Sequence, residues 1–444
     1  MDEGMLDQVV AQAMAAGADA AEAVFAERTA LSVGVRLGIL EEVEREEARD
    51  LGVRVFIGAR QASASASDIS GEGRARLVER VMAMAAMATE DPYGSLAPPE
   101  RLSRGAPSDL DLVDPSQEPE AAFLEARARA SEDSALAIAG VTNSGGGSAA
   151  WSRSAWRLAT SNGFHGAYQA TASSLSAQAI AGEGAGMEQA GEGRASRWLE
   201  DLPAPETIGA EAGRRAVASL GGRKIASTTA PVIFENRLSA ALLGPLIGAI
   251  SGPAVARGVS FLKDKLGKPV FAAGVTLTDD PHRRRGLGSS PFDDEGVENQ
   301  RLDIIDGGVL TTWLLNTSSA RQLGLATTGH AARGLAGPPG VGVGNLTLSL
   351  GDQDAAGLMA EAGSGLLVTS LFGPSLNANT GDWSVGCSGA WFERGEIAYP
   401  VTEITVAGNL IDIYARLIPG ADLEFRGRVN APSILIDALS IAGK

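Results

Sequence analysis

The sequence predicts an α+β protein with an N-terminal α/β domain, in which helices pack on an antiparallel sheet, and a C-terminal domain made mainly of antiparallel β structure. The length of 444 residues exceeds the roughly 250–300 residues that one hydrophobic core usually serves. Helical and alternating patterns share the first half, whereas short strand-like runs separated by Gly, Asn and Pro fill the second. We place the boundary after Gly222, which gives domains of residues 1–222 and 223–444.

The N-terminal domain opens with a helical pattern and continues as a meander. Apolar residues recur at helical spacing up to Gly17 and predict a first helix; they are Leu6, Val9, Val10 and Ala13. Alternation of apolar and polar residues then predicts strands at 31–37, 53–57 and 62–67. The charged run 41–50 is interpreted as a solvated strand and turn. A helix at about 73–88 is expected to return across the sheet.

The rest of this domain begins after a proline-rich surface connection near 95–119. Strands are expected between 135 and 190, and Asn162–Gly163 predicts a type I′ hairpin because both residues tolerate positive φ. The Gly-rich segment 182–193 is interpreted as a mobile loop. Apolar residues at helical spacing in 205–220 predict the last helix of the domain.

The C-terminal domain contains strand-like runs with turn residues between them. The predicted strands are 231–234, 270–277, 301–305, 309–315, 346–350, 365–371, 389–392, 396–399 and 403–407.

Composition excludes several classes of function. The net charge of −17 and the pI near 4.7 oppose nucleic-acid phosphates, so no nucleic-acid partner is expected. A single cysteine excludes an internal disulfide framework and fits a reducing compartment. The N-terminus lacks a leader-like pattern and no apolar run approaches about 18–20 residues, which predicts a cytoplasmic protein without a membrane partner.

The segment 372–410, FGPSLNANTGDWSVGCSGAWFERGEIAYPVTEITVAGNL, carries the most specific pattern. It resembles the TldD/PmbA family, a pair of related bacterial proteins described as the two subunits of a zinc peptidase, and within it the PmbA (TldE) branch. The residues that match that branch are Asn377, Thr380, Gly381, Asp382, Ser384, Gly386, Ser388, Gly389, Trp391, Glu393 and 403–410.

The TldD branch of this family carries an HExxxH helix, where two histidines hold zinc and the glutamate polarises water. The equivalent segment here resembles 242–252, LLGPLIGAISG, so that the ligand positions are Gly244 and Ala249 and the base position is Pro245. None of these can bind metal or move a proton. A proline inside a helix costs roughly 3 kcal/mol, so the local helix is expected to be kinked or to begin nearby.

The resemblance implies a zinc-free, non-catalytic subunit. Such a subunit assembles with a TldD-like catalytic subunit, which alone holds zinc, and helps confine unfolded peptides for proteolysis or peptide maturation. The alternative is a self-associating peptide-binding protein without catalytic activity, with a possible homodimer when isolated. An independent hydrolase that uses Ser or Cys needs a histidine beside the nucleophile, a geometry that the sequence leaves open.

Two groups of residues are candidates for a peptide-binding or cavity-wall role. The first is a polar, Gly-rich stretch, read either as a hydrogen-bonded turn or as a surface that holds an extended peptide; it comprises Asn377, Asn379, Thr380, Asp382 and Ser384. The second is read either as a turn with solvated charge or as a cavity wall that steers peptide; it comprises Arg285, Asp293, Asp294 and Glu295. A Mg²⁺ or Ca²⁺ site would also be carboxylate-rich, but the spacing matches no recognised loop.

Cys387 is the remaining degenerate metal-site position. In the TldD branch, a cysteine near the corresponding place looks like the third zinc ligand. One thiolate without helix histidines does not hold zinc, so Cys387 is interpreted as a buried, small apolar residue. The histidines at 165, 282 and 330 are not spaced as a zinc pair, and the GVGVG run at 340–344 lacks the Lys-Ser/Thr of a phosphate loop.

Overall fold

The computed structural model describes residues 4–105 and 109–444, so residues 106–108 of the proline-rich connection lie outside the described residues. Six antiparallel strands form the N-terminal sheet in the order β3-β2-β1-β4-β5-β6. These strands are β1 (Ala20–Arg36), β2 (Ile39–Ile57), β3 (Arg60–Ala66), β4 (Val141–Thr160), β5 (His165–Ala181) and β6 (Glu188–Ser196). The charged run 41–50 lies in β2 and is mostly exposed.

Four helices cover one face of this sheet. They are α1 (Met5–Ala15), α2 (Gly71–Met87), α3 (Ala121–Leu136) and α4 (Pro205–Ala218). Phe25 of β1 packs in the core beneath α1 and α2, and Val33 of the same strand packs in the core beneath α3 and α4. Val24, the residue just before Phe25, points to the opposite face, where it packs with Phe292 of the C-terminal domain. Period-two alternation therefore assigns one sheet face to helices and the other to the second domain.

Two local predictions in this domain are wrong. Of the two residues at the β4–β5 connection, only Gly163 has positive φ, at 95°. The Asn162 side chain donates to the carbonyl of Ala97 at 2.8 Å, and the loop closes through Thr160 instead of a two-residue turn. The segment 182–193 is not a loop throughout, because residues from Glu188 onward pair with β5. Sheet pairing overrides the weak strand propensity of glycine there.

The C-terminal domain contains two larger sheets and six short helices among the described residues. Its strands are β7 (Thr228–Phe234), β8 (Leu277–Asp279), β9 (Leu302–Asp306), β10 (Val309–Leu310), β11 (Ala331–Ala332), β12 (Gly340–Val341), β13 (Leu346–Leu348), β14 (Ser364–Leu376), β15 (Asp382–Glu393), β16 (Glu396–Asn409), β17 (Ile418–Pro419), β18 (Val429–Asn430) and β19 (Ile434–Ala442). Its helices are α5 (Asn236–Ser239), α6 (Leu243–Ala249), α7 (Gly252–Ala256), α8 (Thr317–Leu323), α9 (Ala355–Ala362) and α10 (Leu410–Arg416).

One sheet of this domain closes on itself. It runs β16-β15-β14-β7-β19, and β19 pairs again with β16, which completes a small barrel. The β14–β7 contact is parallel, and the remaining pairings in the barrel are antiparallel. The other sheet has the order β10-β9-β8-β13-β18. A single apolar core packs α6 against inward residues of both sheets.

The mixed fold class predicted from the sequence is confirmed, with differences in strand lengths. Residues 270–276 are not a strand, because the amides of Val270 and Phe271 both donate to the carbonyl of Gly308 in a turn. Only Val309–Leu310 of the predicted 309–315 strand is extended in a sheet. The predicted strands 396–399 and 403–407 are one strand, β16, with an irregular position at Glu403, whose φ is 51°.

Within residues 4–105 and 109–444, no helix combines the length and apolar character that a membrane crossing needs.

Candidate functional site

The segment expected to carry the degenerate metal site forms the short helix α6. The helix begins at Leu243, so Pro245 lies in its first turn, where backbone amides have no intrahelical partner. The missing amide of Pro245 therefore breaks no helical hydrogen bond. This start just before the proline is one of the two outcomes expected from the sequence.

An apolar cavity of about 680 Å³ lies beside this helix. Gly244, Pro245 and Ala249 line it, together with Gly248 from the same helix. A Cβ atom built at Gly244 or Gly248 would meet no heavy atom within 4 Å, so both positions face open space. Room for side chains exists where the resemblance places metal ligands, but the residues present supply no ligand atom.

The opposite wall of the cavity comes from β14 and β15. It is formed by Leu371, Pro374, Leu376, Ala378, Trp383 and Val385. The remaining wall includes Phe261 and Arg257, and Arg257 is the only charged residue among the described residues that line the cavity. In the described part of the chain, no three His, Cys, Asp or Glu side chains are grouped so that they could hold a metal ion. Zinc ligands are Cys, His and carboxylates, so this lining does not fit a zinc site.

Cys387 lies on the inward face of β15, two residues beyond Val385. It is fully buried in the core that also contains Ala249. Burial raises the pKa of its thiol to about 12. The thiol therefore stays protonated at neutral pH, whereas a metal ligand must be a thiolate. Cys387 has the surroundings of a small apolar core residue.

The polar stretch predicted from the sequence forms the tight turn between β14 and β15. The amide of Asn379 donates to Asn377 Oδ1 at 3.1 Å, and Thr380 Oγ1 donates to Asp382 Oδ2 at 2.7 Å. Asn409 Nδ2 also donates to Asp382 Oδ1 at 3.0 Å. Two hydrogen bonds lower the pKa of Asp382: the bond from Thr380 has the larger effect and the bond from Asn409 the smaller one. The turn is internally bonded and exposed, and Ser384 continues its outward side along β15.

These polar residues stand beside the cavity, and the residues interleaved with them line it. Because successive side chains of a strand point to opposite faces, Asp382 and Ser384 point outward, whereas Trp383 and Val385 point inward. The polar pattern of the sequence predicted the outward residues as site residues but not the inward ones. The period-two pattern of 382–385 contains the signal that would have found them.

Part of β14 next to the cavity has an open edge. The strand spans Ser364–Leu376 but pairs with β7 only over Leu366–Val368 in the described structure. The Arg237 side chain donates to the carbonyl of Thr369 at 2.5 Å. From Ser370 to Leu376 the described contacts include no strand on that side. An open strand edge can accept an added strand.

In the acidic group at 293–295, Asp293 and Glu295 are buried and Asp294 is half-buried, so its interpretation as solvated charge is wrong. Asp293 Oδ1 accepts the amides of Glu295 and Val297, each at 2.9 Å, and Glu295 Oε2 accepts the amide of Thr317 at 2.8 Å. Burial, reinforced by the neighbouring carboxylate of Glu295, raises the pKa of Asp293 well above its ordinary value. Burial also raises the pKa values of Asp294 and Glu295. Backbone amides fix these carboxylates in place.

Arg285 does not join the acidic group. Its guanidinium donates to Asp111 Oδ2 at 2.7 Å and to Glu200 Oε1 at 3.0 Å, and it lies 3.6 Å from the centre of the Trp198 ring. Arg285 thus ties its loop to the N-terminal domain. Its predicted role in steering peptide stays a prediction, as do the roles of the other candidate residues.

The fold and the site together define an α+β protein in which a short helix and a barrel hairpin enclose an apolar cavity. Models of the PmbA/TldA metallopeptidase match domain 1 at residues 21–85, the central domain at 111–220 and the C-terminal domain at 227–443. The chain belongs to the PmbA/TldD family, as the resemblance of its 372–410 segment to the PmbA (TldE) branch predicted.

Relatives and solved structures match this chain over nearly its whole length. The metalloprotease PmbA of Escherichia coli O157:H7 is 38% identical over 444 residues, which cover 99% of this chain and 96% of that protein. A PmbA homolog of Haemophilus influenzae is 34% identical, over 96% of this chain and 93% of that protein. The crystal structure of a candidate modulator of DNA gyrase from Bacteroides thetaiotaomicron superposes with a TM-score of 0.92 at 28% identity and covers 100% of both chains. TldE of Thermococcus kodakarensis shares the fold, with a TM-score of 0.88 at 19% identity over 98% of this chain and 99% of that chain.

Proposed function

We propose that this chain is the zinc-free subunit of a two-component peptidase. It assembles with a TldD-like subunit that holds the catalytic zinc, and its C-terminal domain forms part of the chamber that holds unfolded peptides. The observation that carries the proposal is the composition of α6, where Gly244, Pro245 and Ala249 face an apolar cavity at the positions that match the ligands and base of the zinc-binding branch.

The cavity and the open edge of β14 suit a peptide that is extended. Backbone amides and carbonyls of β14 beyond Val368 could pair with the main chain of a peptide, which gives affinity independent of sequence. The cavity beside Leu371 and Leu376 would then receive an apolar side chain of that peptide. Unfolded proteins expose apolar side chains and unpaired backbone, so they offer both features.

A mixing experiment tests the proposal. The purified chain, a TldD-like protein and the mixture are each assayed on an unfolded peptide, with and without a chelator, and zinc is measured after dialysis. We expect no stoichiometric zinc in this chain, no cleavage by the chain alone, and chelator-sensitive cleavage by the mixture that exceeds cleavage by the partner alone.

Other outcomes separate the alternatives. Zinc bound at one per chain and lost in Cys387→Ala would overturn the zinc-free assignment. Chelator-insensitive cleavage by the chain alone would indicate an independent hydrolase. Peptide binding by a self-associated chain that never assembles with the TldD-like protein would support the non-catalytic binding protein instead.

A further inference from the structure

A second cavity, of about 330 Å³, lies between the two domains and apart from α6. Trp156 and Tyr168 line it from the N-terminal sheet, and they face each other as a cross-strand pair on β4 and β5. The C-terminal domain contributes Asp279, Asp294 and Arg333, with the exposed Arg428 nearby in the same lining. Neither the metal-site positions nor the β14–β15 turn belongs to this cavity.

Three residues of this lining have buried polar atoms without a hydrogen-bond partner in the described structure. They are Asp279 Oδ1, Trp156 Nε1 and Arg333 Nη2. The Asp279 side chain is only 2% exposed, and its other oxygen, Oδ2, already faces His330 Nε2 at 3.2 Å and the amide of Gly344 at 2.9 Å. Buried polar groups are nearly always paired in native proteins. One acceptor and two donors at one cavity therefore indicate a ligand that carries both kinds of group.

The lining contains ionisable groups of both signs. It contains three arginines, Arg197, Arg333 and Arg428, and three aspartates, Asp279, Asp293 and Asp294. A site for a simple anion or cation would carry an excess of the opposite charge, since an unpaired buried charge is costly. The described residues also offer no cluster of His, Cys, Asp or Glu that could hold a metal ion here. A lining with groups of both signs fits a ligand with one positive and one negative end.

We propose that this interdomain cavity binds a small zwitterion, either a free amino acid or a dipeptide. The ammonium end donates to Asp279 Oδ1 and lies near Asp294, in a lining that also contains the aromatic rings of Trp156 and Tyr168. The carboxylate end accepts hydrogen bonds from Trp156 Nε1 and from Arg333 Nη2. This site is independent of the proposed subunit role, because it shares no residue with the α6 cavity.

The size of the cavity limits the ligand. Small-molecule pockets span about 300–1,000 Å³, and a water occupies about 30 Å³ of liquid. The cavity is at the lower end of this range, which suits one or two residues and excludes a longer peptide. Because both domains contribute to the lining, bound ligand contacts both and stabilises the folded chain by mass action.

Calorimetric titration of the full chain tests the proposal. The probes are alanine, leucine, glutamate, lysine and alanylalanine as zwitterions, with acetate and ethylamine as single-charge comparators. We expect at least one zwitterion to bind and to raise the melting temperature, while acetate and ethylamine bind at least about ten-fold more weakly. Trp156→Phe keeps an aromatic ring, although a smaller one, and removes the unpaired donor, so it should weaken binding about ten-fold.

The matched control is Trp391→Phe, the same substitution on β15, remote from this cavity, which should leave binding unchanged. Asp279→Asn is a second variant that replaces the unpaired acceptor, and circular dichroism checks its folding. The proposal fails if no zwitterion binds at about 10 mM, which would leave water as the occupant. It also fails if acetate or ethylamine binds as tightly as the zwitterions, or if Trp156→Phe binds like wild type.

Discussion

Glu22 of β1 and Arg333 of the C-terminal domain form an ion pair that is closed to solvent and joins the two domains. Their side chains are 2% and 0% exposed. Arg54, also buried, donates to the same Glu22 oxygen at 3.2 Å. Two arginines from different domains thus share one carboxylate. The relative position of the domains depends on this contact as well as on apolar packing around Phe292.

Removal of Arg333 should destabilise the folded chain strongly. In Arg333→Met, Arg54 is the one charged partner that Glu22 keeps among the described residues, and breaking a buried pair costs about 3–5 kcal/mol. Urea unfolding would measure the loss. The control is Arg214→Met, since Arg214 pairs with Glu211 at the surface with 58% exposure and should cost less than about 1 kcal/mol. Equal effects of the two substitutions would contradict an interdomain role for the pair.

Filling the α6 cavity should impair peptide handling without harming the fold. Gly248→Leu places a side chain in open space and replaces glycine in a helix, a change worth up to about 1 kcal/mol of added stability. We expect kcat/KM of the mixed complex to fall about ten-fold, which is the loss of one apolar contact site. Gly186→Leu, at a surface position that is also open, is the matched control. Unchanged activity of Gly248→Leu would remove the cavity from the peptide path.

The double substitution Asn379→Ala and Asp382→Ala tests the β14–β15 turn. Asp382 is exposed and its hydrogen bonds to Thr380 and Asn409 are local, so the loss of stability should be small. Activity of the mixed complex should fall by more than this loss explains. A double variant that assembles with the partner and cleaves peptide at the wild-type rate would show that the turn has only a structural role.

The buried carboxylates predict a pH dependence of stability. Burial raises the pKa values of Asp293 and Glu295 in the folded state. Below their ordinary values of 3.8 and 4.5, both groups are protonated in both states. As pH rises, the unfolded chain loses these protons first, so their contribution to stability is lost as pH passes through the raised pKa values.

Glu295→Gln should therefore reduce the loss of folding stability that accompanies rising pH. The variant keeps a carbonyl oxygen for the Thr317 amide and removes the charge beside Asp293. Between pH 4.5 and pH 8, the variant should lose less free energy of unfolding than the wild type, by on the order of 1 kcal/mol. Urea midpoints at both pH values would measure this. Glu298→Gln, at an exposed position in the same loop, is the control and should follow the wild-type profile.

The amino-acid sequence by itself determined the mixed fold class, most of the long elements and the family. Helical spacing in 6–13 and alternation in 31–37 suffice for α1 and β1, because one buried face imposes a period on the residues that form it. The 372–410 pattern identified the family because so many fixed positions coincide.

Only the tertiary structure decided which residues meet. Asp293 and Glu295 read as surface charge in the sequence, yet amides up to 38 positions away pair with them in the interior. The apolar cavity joins α6 to β14 and β15, more than a hundred residues further along the chain. The interdomain cavity likewise needs Trp156 of β4 and Asp279 of β8. Local patterns report which face of an element is buried, but the partner on that face is set by chain-wide packing.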